Sequence, residues 1–455
     1  MNNYQIPRIM IAGTNSGCGK TTVTCAVLKS LANRGLQVSP FKCGPDYIDP
    51  MFHIMILNTP STNLDPFFFS ENTMRLLLAK NSQGKEISVI EGVMGFYDGL
   101  GFDSAKASSY ETAQITKTPV ILVLNAKGSA LSLLAQIHGF ITFLPDNYIR
   151  GIILNRCSPM SYPLMAKAIQ EQFQGKIMPL GYLPEMPDSS LESRHLGLVT
   201  AQEVSNLSEI IDRLARQAEK SIDLDSILQL AQSAGTVQCD DIRIPRYTKK
   251  IRIAAAMDKA FCFYYHDDLD MLKEMGAEII PFSPLNDRKL PEYIHGLYLG
   301  GGYPELYAEA LSQNVPIKNE IRKLLDDGIP CIAECGGFMY LTQAIIDYPM
   351  VGFLSGKCFN TGKLTRFGYI HLKSDKNDLL CIAGKSIPAH EFHYWDCEDP
   401  GSDYTAEKPS GKSWTCVHAN ETLYAGFPHI HFYAEPSIAV RFYEACLKYK
   451  EKSHA

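Results

Sequence analysis

Lys20-Thr21-Thr22 follows directly on Gly13-Thr-Asn-Ser-Gly-Cys-Gly19, a run of small side chains. The N–H groups of such a loop, and of a helix opening at Lys20, face an anion. The lysine reaches outer phosphates, and the threonine after it offers a hydroxyl to magnesium. The expected nucleotide contacts are Gly13, Thr14, Asn15, Gly17, Cys18, Gly19, Lys20, Thr21 and Thr22, with Asn125 at the end of a later apolar run. Asn155-Arg156, closing another, is a candidate for the face of the base. The standard spacing G-x-x-x-x-G-K-[ST] asks for glycine where this chain has Thr14, and the glycine stands one place earlier at Gly13. Three acids accompany the loop: Asp46 and Asp49 in Lys42-Cys-Gly-Pro-Asp-Tyr-Ile-Asp-Pro50, and Glu91 in Ile87-Ser-Val-Ile-Glu-Gly92. Carboxylates at strand ends beside a phosphate cradle suit a magnesium ion, so Thr21, Asp46, Asp49 and Glu91 form the expected metal set. Asp98, on the following loop, is a further candidate.

A second chemistry lies far along the chain, in Ala333-Glu334-Cys335-Gly336-Gly337. An apolar strand running into cysteine, two glycines and a helix start has the logic of a nucleophile elbow. The turn exposes the sulfur, the glycines admit a substrate, and the helix N-terminus is expected to lower the thiol pKa. The thiolate attacks a carboxamide carbon, and Gly300-Gly301-Gly302, with Gly336, is expected to bind the resulting oxyanion. A base is needed too. Ala425-Gly-Phe-Pro-His429-Ile-His431-Phe-Tyr-Ala-Glu435 supplies two histidines and an acid; the reading leaves open which histidine is the base.

These groups must be held by alternating strands and helices. Ile9–Ala12, Ile87–Gly95, Thr118–Asn125, Ile149–Asn155 and Met178–Pro184 read as strands, and Gly35–Lys42 as a turn and a strand. Helices are expected to about Arg34 and over 73–81, near Ser205 to Glu219, and over 225–234. Continuous apolar strands alternating with helices predict a doubly wound parallel sheet. Residues 236–250 are polar and aperiodic and read as a linker between a synthetase domain, 1–235, and a second α/β domain, 251–447. There the expected strands are Ile251–Met257, Glu278–Phe282 and His295–Leu299, with a helix over 317–327.

The chain has 455 residues, which suggests two or three domains, and its hydrophobic share of 45%, charged share of 20% and net charge of -6 fit a soluble globular enzyme. No long basic run marks a nucleic-acid partner, and no apolar run approaches the roughly 20 residues of a membrane span. The short lead into the first strand leaves no room for a signal peptide. Thirteen scattered cysteines without a CxxC pair predict reduced thiols, no structural zinc and a cytoplasmic location.

The glycine-shifted phosphate loop resembles that of dethiobiotin synthetase and its relatives, and the Cys, His and Glu elements resemble class I glutamine amidotransferases. Together with Phe41-Lys-Cys-Gly-Pro-Asp-Tyr-Ile-Asp-Pro50, Glu91-Gly-Val-Met-Gly-Phe-Tyr-Asp-Gly99, Gly300-Gly-Gly-Tyr-Pro-Glu305, Glu334-Cys-Gly-Gly-Phe-Met-Tyr-Leu341, Ala389-His-Glu-Phe-His-Tyr394 and Phe427-Pro-His-Ile-His-Phe432, the chain closely resembles the cobyrinic acid a,c-diamide synthase family over roughly residues 7–445. The resemblance implies ATP- and glutamine-dependent amidation of two carboxylates of cobyrinate in cobalamin biosynthesis, with Mg2+. It also implies Cys335 as nucleophile, His429 or His431 as base and Glu435 as their acid. A homodimer is the expected assembly. Residues 366–369 and 389–394 resemble family loops, expected to touch substrate or couple the domains. The same motifs occur in the synthase that amidates nickel sirohydrochlorin, whereas cobyric acid synthase ends its amidotransferase in His-Gly. A non-catalytic P-loop regulatory protein is the rival from another class.

Overall fold

Where a strand's residues are apolar throughout, both of its faces must be covered, and crossover helices do this for parallel strands. The computed structural model, which describes residues 2–187, 193–194, 197–198 and 206–453, has that architecture in each of two units, Met1–Ile242 and Arg243–Ala455. In the first unit seven strands form one sheet, in the order Thr62–Leu64, Val38–Cys43, Ile87–Glu91, Arg8–Gly13, Val120–Asn125, Ile149–Asn155 and Met178–Leu183. Every pairing is parallel. Arg8–Gly13, Val38–Cys43 and Ile87–Glu91 are buried at every residue.

The first of these strands, Arg8–Gly13, lies in the middle, between Ile87–Glu91 and Val120–Asn125. Chain order reverses there, and at such a switch point the loops leaving the C-terminal strand ends open a crevice for ligands. The helix Lys20–Asn33 packs one face of the sheet together with Leu207–Ser221. That second helix buries Leu207, Ile211, Leu214, Ala215 and Ala218, a stripe at helical spacing. Each fully buried Leu or Ile there contributes about 1.5–3 kcal/mol. The expected start of this helix at Ser205 lies outside the described residues. The helix Glu71–Asn81 begins two residues before the expected Thr73, because Ser70 caps it by accepting the Thr73 N–H at 3.2 Å.

The linker expectation needs correction. Val237–Cys239 is a strand paired antiparallel with Asn2–Tyr4, so the first part of 236–250 belongs to the first unit. Beyond the boundary, Tyr247 stacks on Tyr443 with ring centroids 4.5 Å apart and donates its N–H to Met275 O, which ties the remainder to the second unit.

The second unit holds a six-stranded sheet in the order Ala277–Phe282, Ile251–Ala256, Gly296–Leu299, Cys331–Glu334, Leu423–Gly426 and His418–Ala419. All its pairings are parallel except the last. A five-stranded antiparallel sheet follows the order Ser413–Cys416, Tyr404–Glu407, Arg366–Ser374, Ser386–His393 and His429–Ile430. The segments 366–369 and 389–394, expected as loops, are therefore mostly strand, with Tyr369 opposite His390 in register. The chain leaves the parallel sheet at Gly426, turns at Phe427-Pro428 and enters the antiparallel sheet at His429. The expected end at 447 falls inside the helix Ser437–Ser453. Among the described residues, no helix is long and apolar enough to cross a membrane.

Two candidate active sites

In the first unit the loop after Arg8–Gly13 runs up to the helix at Lys20 and carries Thr14, Asn15, Gly17, Cys18 and Gly19, with Thr21 and Thr22 in the helix's first turn. Three contacts fix its path. Thr14 donates its N–H to Val123 O at 3.2 Å, Phe96 donates its N–H to Gly13 O at 2.8 Å, and Asn155 Nδ2 donates to Cys18 O at 2.9 Å. Asn155 thus holds the loop, a different role from the base contact expected of it. Gly19 is left-handed at φ 95°, and a Cβ there would stand 1.8 Å from Asn155 Nδ2. Gly19→Ala therefore combines left-handed strain of about 1–2 kcal/mol with displacement of the side chain holding Cys18. Fluorescent-nucleotide titration is expected to show at least about tenfold weaker binding, since ~1.4 kcal/mol is tenfold; unchanged affinity would show that the loop tolerates a new path.

Glu91 is the hub of this site. Its Oε1 accepts from Thr21 Oγ1 at 2.6 Å and Lys20 Nζ at 3.2 Å, and lies 3.5 Å from Lys42 Nζ. Its Oε2 is 2.8 Å from His53 Nε2, and His53 Nδ1 is 3.1 Å from Ser61 Oγ. Burial opposes the Glu91 charge, but Lys42, Lys20 and His53 overcome it and hold the carboxyl well below the usual carboxylate range. Asp46 and Asp49 both turn to Lys42. Asp49 is ion-paired with it, Asp46 Oδ2 lies 3.7 Å away, and Lys42 also donates to Gly92 O at 2.9 Å. Asp46 Oδ1 caps the helix Ile48–Leu57 by accepting the Ile48 N–H at 2.8 Å. Three carboxylates crowd around Lys42 and Lys20, and the excess falls on Asp49. Burial first, then Asp46 and Glu91, push its carboxyl up to about 8. Among the described residues no group of three or more His, Cys, Asp or Glu is arranged to hold a metal ion by itself. Asp98 accepts the Gly95 N–H at 2.9 Å as a turn residue, and Asn125 Oδ1 accepts the Lys127 N–H at 3.2 Å.

Lys42 and His53 were missed as site residues. The signal was present in outline: Lys42 ends a strand four residues before Asp46, and His53 follows Asp49 by one helical turn.

In the second unit Cys335 follows the strand Cys331–Glu334 with φ 47° and ψ −101°, a conformation non-glycine residues avoid at a cost of order 1–3 kcal/mol. Flanking bonds impose it: Cys335 donates its N–H to Gly426 O at 2.7 Å, and Met339 donates its N–H to Cys335 O at 2.9 Å. The glycines leave no room for side chains. A Cβ on Gly337 would lie 2.0 Å from Leu299 O, and one on Gly336 would lie 3.1 Å from Gly302 N. The expectation of a lowered thiol pKa is overturned. The helix Gly336–Leu341 is six residues long, and burial, reinforced by Glu305, pushes the Cys335 thiol well up. A thiol held up in this way needs a base to take its proton.

The two histidines occupy different surroundings. His429 Nδ1 lies 3.5 Å from Glu334 Oε2, its ring stacks on His390 at 5.0 Å, and its Cε1 would be 2.6 Å from a Cβ on Gly301. His431 Nδ1 lies 2.7 Å from Asp268 Oδ1 and 3.2 Å from Tyr433 N. The same Nδ1 accepts the Tyr433 N–H and faces the Asp268 carboxylate, and the ring stacks on Tyr265 at 4.4 Å. Burial raises the Asp268 carboxyl to about 6, against the pull of His431. Glu435 joins neither histidine in these contacts: it pairs with Lys385 Nζ at 2.8 Å and accepts from Ser437 Oγ at 2.7 Å. The acids facing the histidines are Glu334 and Asp268. Gly300 is also spoken for, since its N–H donates to Tyr264 Oη at 2.9 Å.

Comparison with known proteins matches residues 9–199 to the CobQ/CobB/MinD/ParA nucleotide binding domain and residues 252–437 to the CobB/CobQ-like glutamine amidotransferase domain. The chain is 41% identical to cobyrinate a,c-diamide synthase of Clostridium acetobutylicum over 431 residues, 93% of this chain and 97% of that protein. It is 39% identical to cobyrinate a,c-diamide synthase of Thermoplasma volcanium over 456 residues, 98% of this chain and 99% of that one. The enzyme of the same name from Caldanaerobacter subterraneus subsp. tengcongensis is 38% identical over 97% of this chain and 99% of its own length. With a phosphate loop in one unit, a cysteine elbow in the other and likeness running through both, the chain belongs to the cobyrinate a,c-diamide synthase family.

Proposed function

We propose that this chain converts two side-chain carboxylates of cobyrinic acid, a and c, to amides, drawing nitrogen from glutamine and consuming ATP. The observation that carries the reading is the pairing, on one chain, of a Lys20–Thr21–Glu91 cradle with a cysteine elbow backed by histidine. A carboxylate resists attack by ammonia until one oxygen is made a leaving group. Transfer of the γ-phosphoryl group of ATP to that oxygen gives an acyl phosphate, ammonia adds to the carbonyl carbon, and phosphate departs. Lys20 leaves Glu91 to neutralise the outer phosphates, while Lys42 and His53 keep Glu91 in place. Thr21, Glu91 and Asp46 present hard oxygen donors fit for Mg2+, which binds through one or two carboxylates together with substrate phosphates. When bound, the ion offsets phosphate charge.

In the second unit a histidine takes the Cys335 proton, and the sulfur attacks the carboxamide carbon of glutamine. The Gly302 N–H, beside Gly336, supports assignment as the donor to the oxyanion. The histidine returns its proton to the departing nitrogen, and water then hydrolyses the γ-glutamyl thioester to glutamate. A cytoplasmic homodimer completes the proposal; the thirteen free thiols suit a reducing compartment, and sedimentation checks the dimer.

The test is incubation with glutamine, ATP, Mg2+ and either cobyrinic acid or nickel sirohydrochlorin, with product masses read. Two acid-to-amide conversions of cobyrinic acid are expected. Conversion of the nickel compound alone would move the chain to the other amidation, and no conversion of either would refute both.

A further inference from the structure

We propose that Glu334, the residue immediately before the nucleophile, is the positioning carboxylate that orients His429 as the base for Cys335. This rests on the amidotransferase reading of the second unit and extends it. Class I chemistry needs an acid behind its histidine, and Glu435, the acid downstream of the two histidines, is engaged by Lys385 and the start of the last helix. Glu334 is 1% exposed and uses both oxygens toward the histidine segment. Oε1 accepts the Ile430 N–H at 3.1 Å, and Oε2 lies 3.5 Å from His429 Nδ1. That contact is longer than a hydrogen bond, as catalytic contacts often are before substrate binds. With Nδ1 turned to the carboxylate, Nε2 has, in this proposal, the task of taking the thiol proton, the division of labour that lets a histidine act as base.

The surroundings select His429 over His431. A Cβ on Gly301 would lie 2.6 Å from His429 Cε1, and one on Gly336, next to Cys335, would lie 3.1 Å from Gly302 N, so His429 borders the glycine loop that flanks the elbow. The same strand end that presents Cys335 presents Glu334, so nucleophile and positioning acid share one backbone. Cys335 itself is tied to Gly426, three residues before His429. His431 is fully buried against Asp268, Tyr265 and Tyr433, and Asp268 Oδ1 also accepts the Phe432 N–H at 2.8 Å, the bonding of a structural clasp on a tight turn. The ionisable groups facing His429 are Glu334 from the elbow strand and His390 from the antiparallel sheet, with His431 two residues on. Burial, with His429 and His431 adding to it, holds His390 well below the usual imidazole range, and Glu334 supplies a carboxylate beside His429.

The test is Glu334→Gln, which keeps side-chain size and an oxygen for the Ile430 N–H while removing the charge. The glutaminase kcat is expected to fall by about 10²-fold, with KM for glutamine little changed, as for a group acting in the transition state. The acidic limb of the pH profile should move to lower pH, because a histidine without its anion gives up its proton more readily. Melting temperature and ammonia-dependent synthesis serve as controls and should hold. Asp268→Asn is the comparison, with a far smaller loss and no shift of the limb. An unmoved pH profile with kcat retained in Glu334→Gln overturns the proposal. So does a fall in melting temperature and in both nitrogen-donor activities together, which marks a structural residue. A shifted limb in Asp268→Asn alone transfers the role to the His431 pair. Failure of the amidotransferase reading itself would look different, with glutamine hydrolysis surviving Cys335→Ala.

Discussion

Cys335→Ala is expected to abolish glutamine-dependent amidation by about 10⁴-fold or more while leaving ammonia-dependent amidation near normal. The magnitude follows from removing a covalent nucleophile: what remains is binding and oxyanion stabilisation without a bond-forming partner. The selectivity follows from chemistry. Only release of nitrogen from glutamine uses a thiolate; formation of the acyl phosphate uses the phosphate cradle of the other unit. High ammonium at alkaline pH, where more of it is free ammonia, should therefore restore product. The fold should survive, because alanine tolerates the left-handed backbone no worse than cysteine and the Cys335 N–H and C=O bonds remain. Full glutamine-dependent activity in this variant would sink the amidotransferase reading. A folded protein dead with both nitrogen sources would assign Cys335 to the synthetase chemistry.

Lys20→Ala has the opposite signature, losing amidation with both donors by roughly 10³-fold, the scale on which a cation stabilises a transferring phosphoryl group. Lys20 donates to Glu91 in the resting site, so the variant removes one partner of a fully buried carboxylate. Lys42 and His53 still face that carboxylate, and Thr21 still donates to it. The melting temperature should accordingly change little, and glutamine hydrolysis measured alone should persist. Near-normal synthesis by Lys20→Ala would refute the phosphate-cradle assignment. Loss of the fold instead would show that Lys20 is needed chiefly to neutralise Glu91.

Much of this was legible in the sequence because the signals were local. A continuous apolar strand, a run of small residues and Lys-Thr at a helix start identify a cradle without knowledge of any distant residue. The elbow Glu334-Cys335-Gly336-Gly337 is equally self-contained. Partnership across the fold was harder. Glu435 was expected to serve the histidines because it is near them in sequence, yet the 3-10 turn Phe432–Ala434 directs it to Lys385. The acid that holds His431 is Asp268, whose bond to Phe432 spans 164 residues. No spacing rule foretells such a pair. The antiparallel sheet over 366–430 escaped notice for a different reason. Its strands face core on one side and solvent on the other, so their apolar residues are diluted by His371, Lys373, Thr405 and Thr415, and short alternating runs resemble loops. Lys42 shows the same limit at closer range. A lysine at the tip of a buried strand reads as a surface residue until its three carboxylates are seen around it.

The two-residue corner Phe427-Pro428, where the chain passes from one sheet to the other, sets an order of events during synthesis. Cys335, Glu334 and the glycine loop all emerge from the ribosome well before His429, and domains fold from the N-terminal side as they emerge. On the assignment of His429 proposed above, the elbow lacks its base until the corner has formed and His429 has paired opposite His390. A one-residue slip in that pairing would turn the imidazole to the other face of the sheet. A nascent chain arrested at Pro428 should thus bind nucleotide but leave glutamine intact. On that assignment, the glutaminase would be the last activity the growing chain acquires.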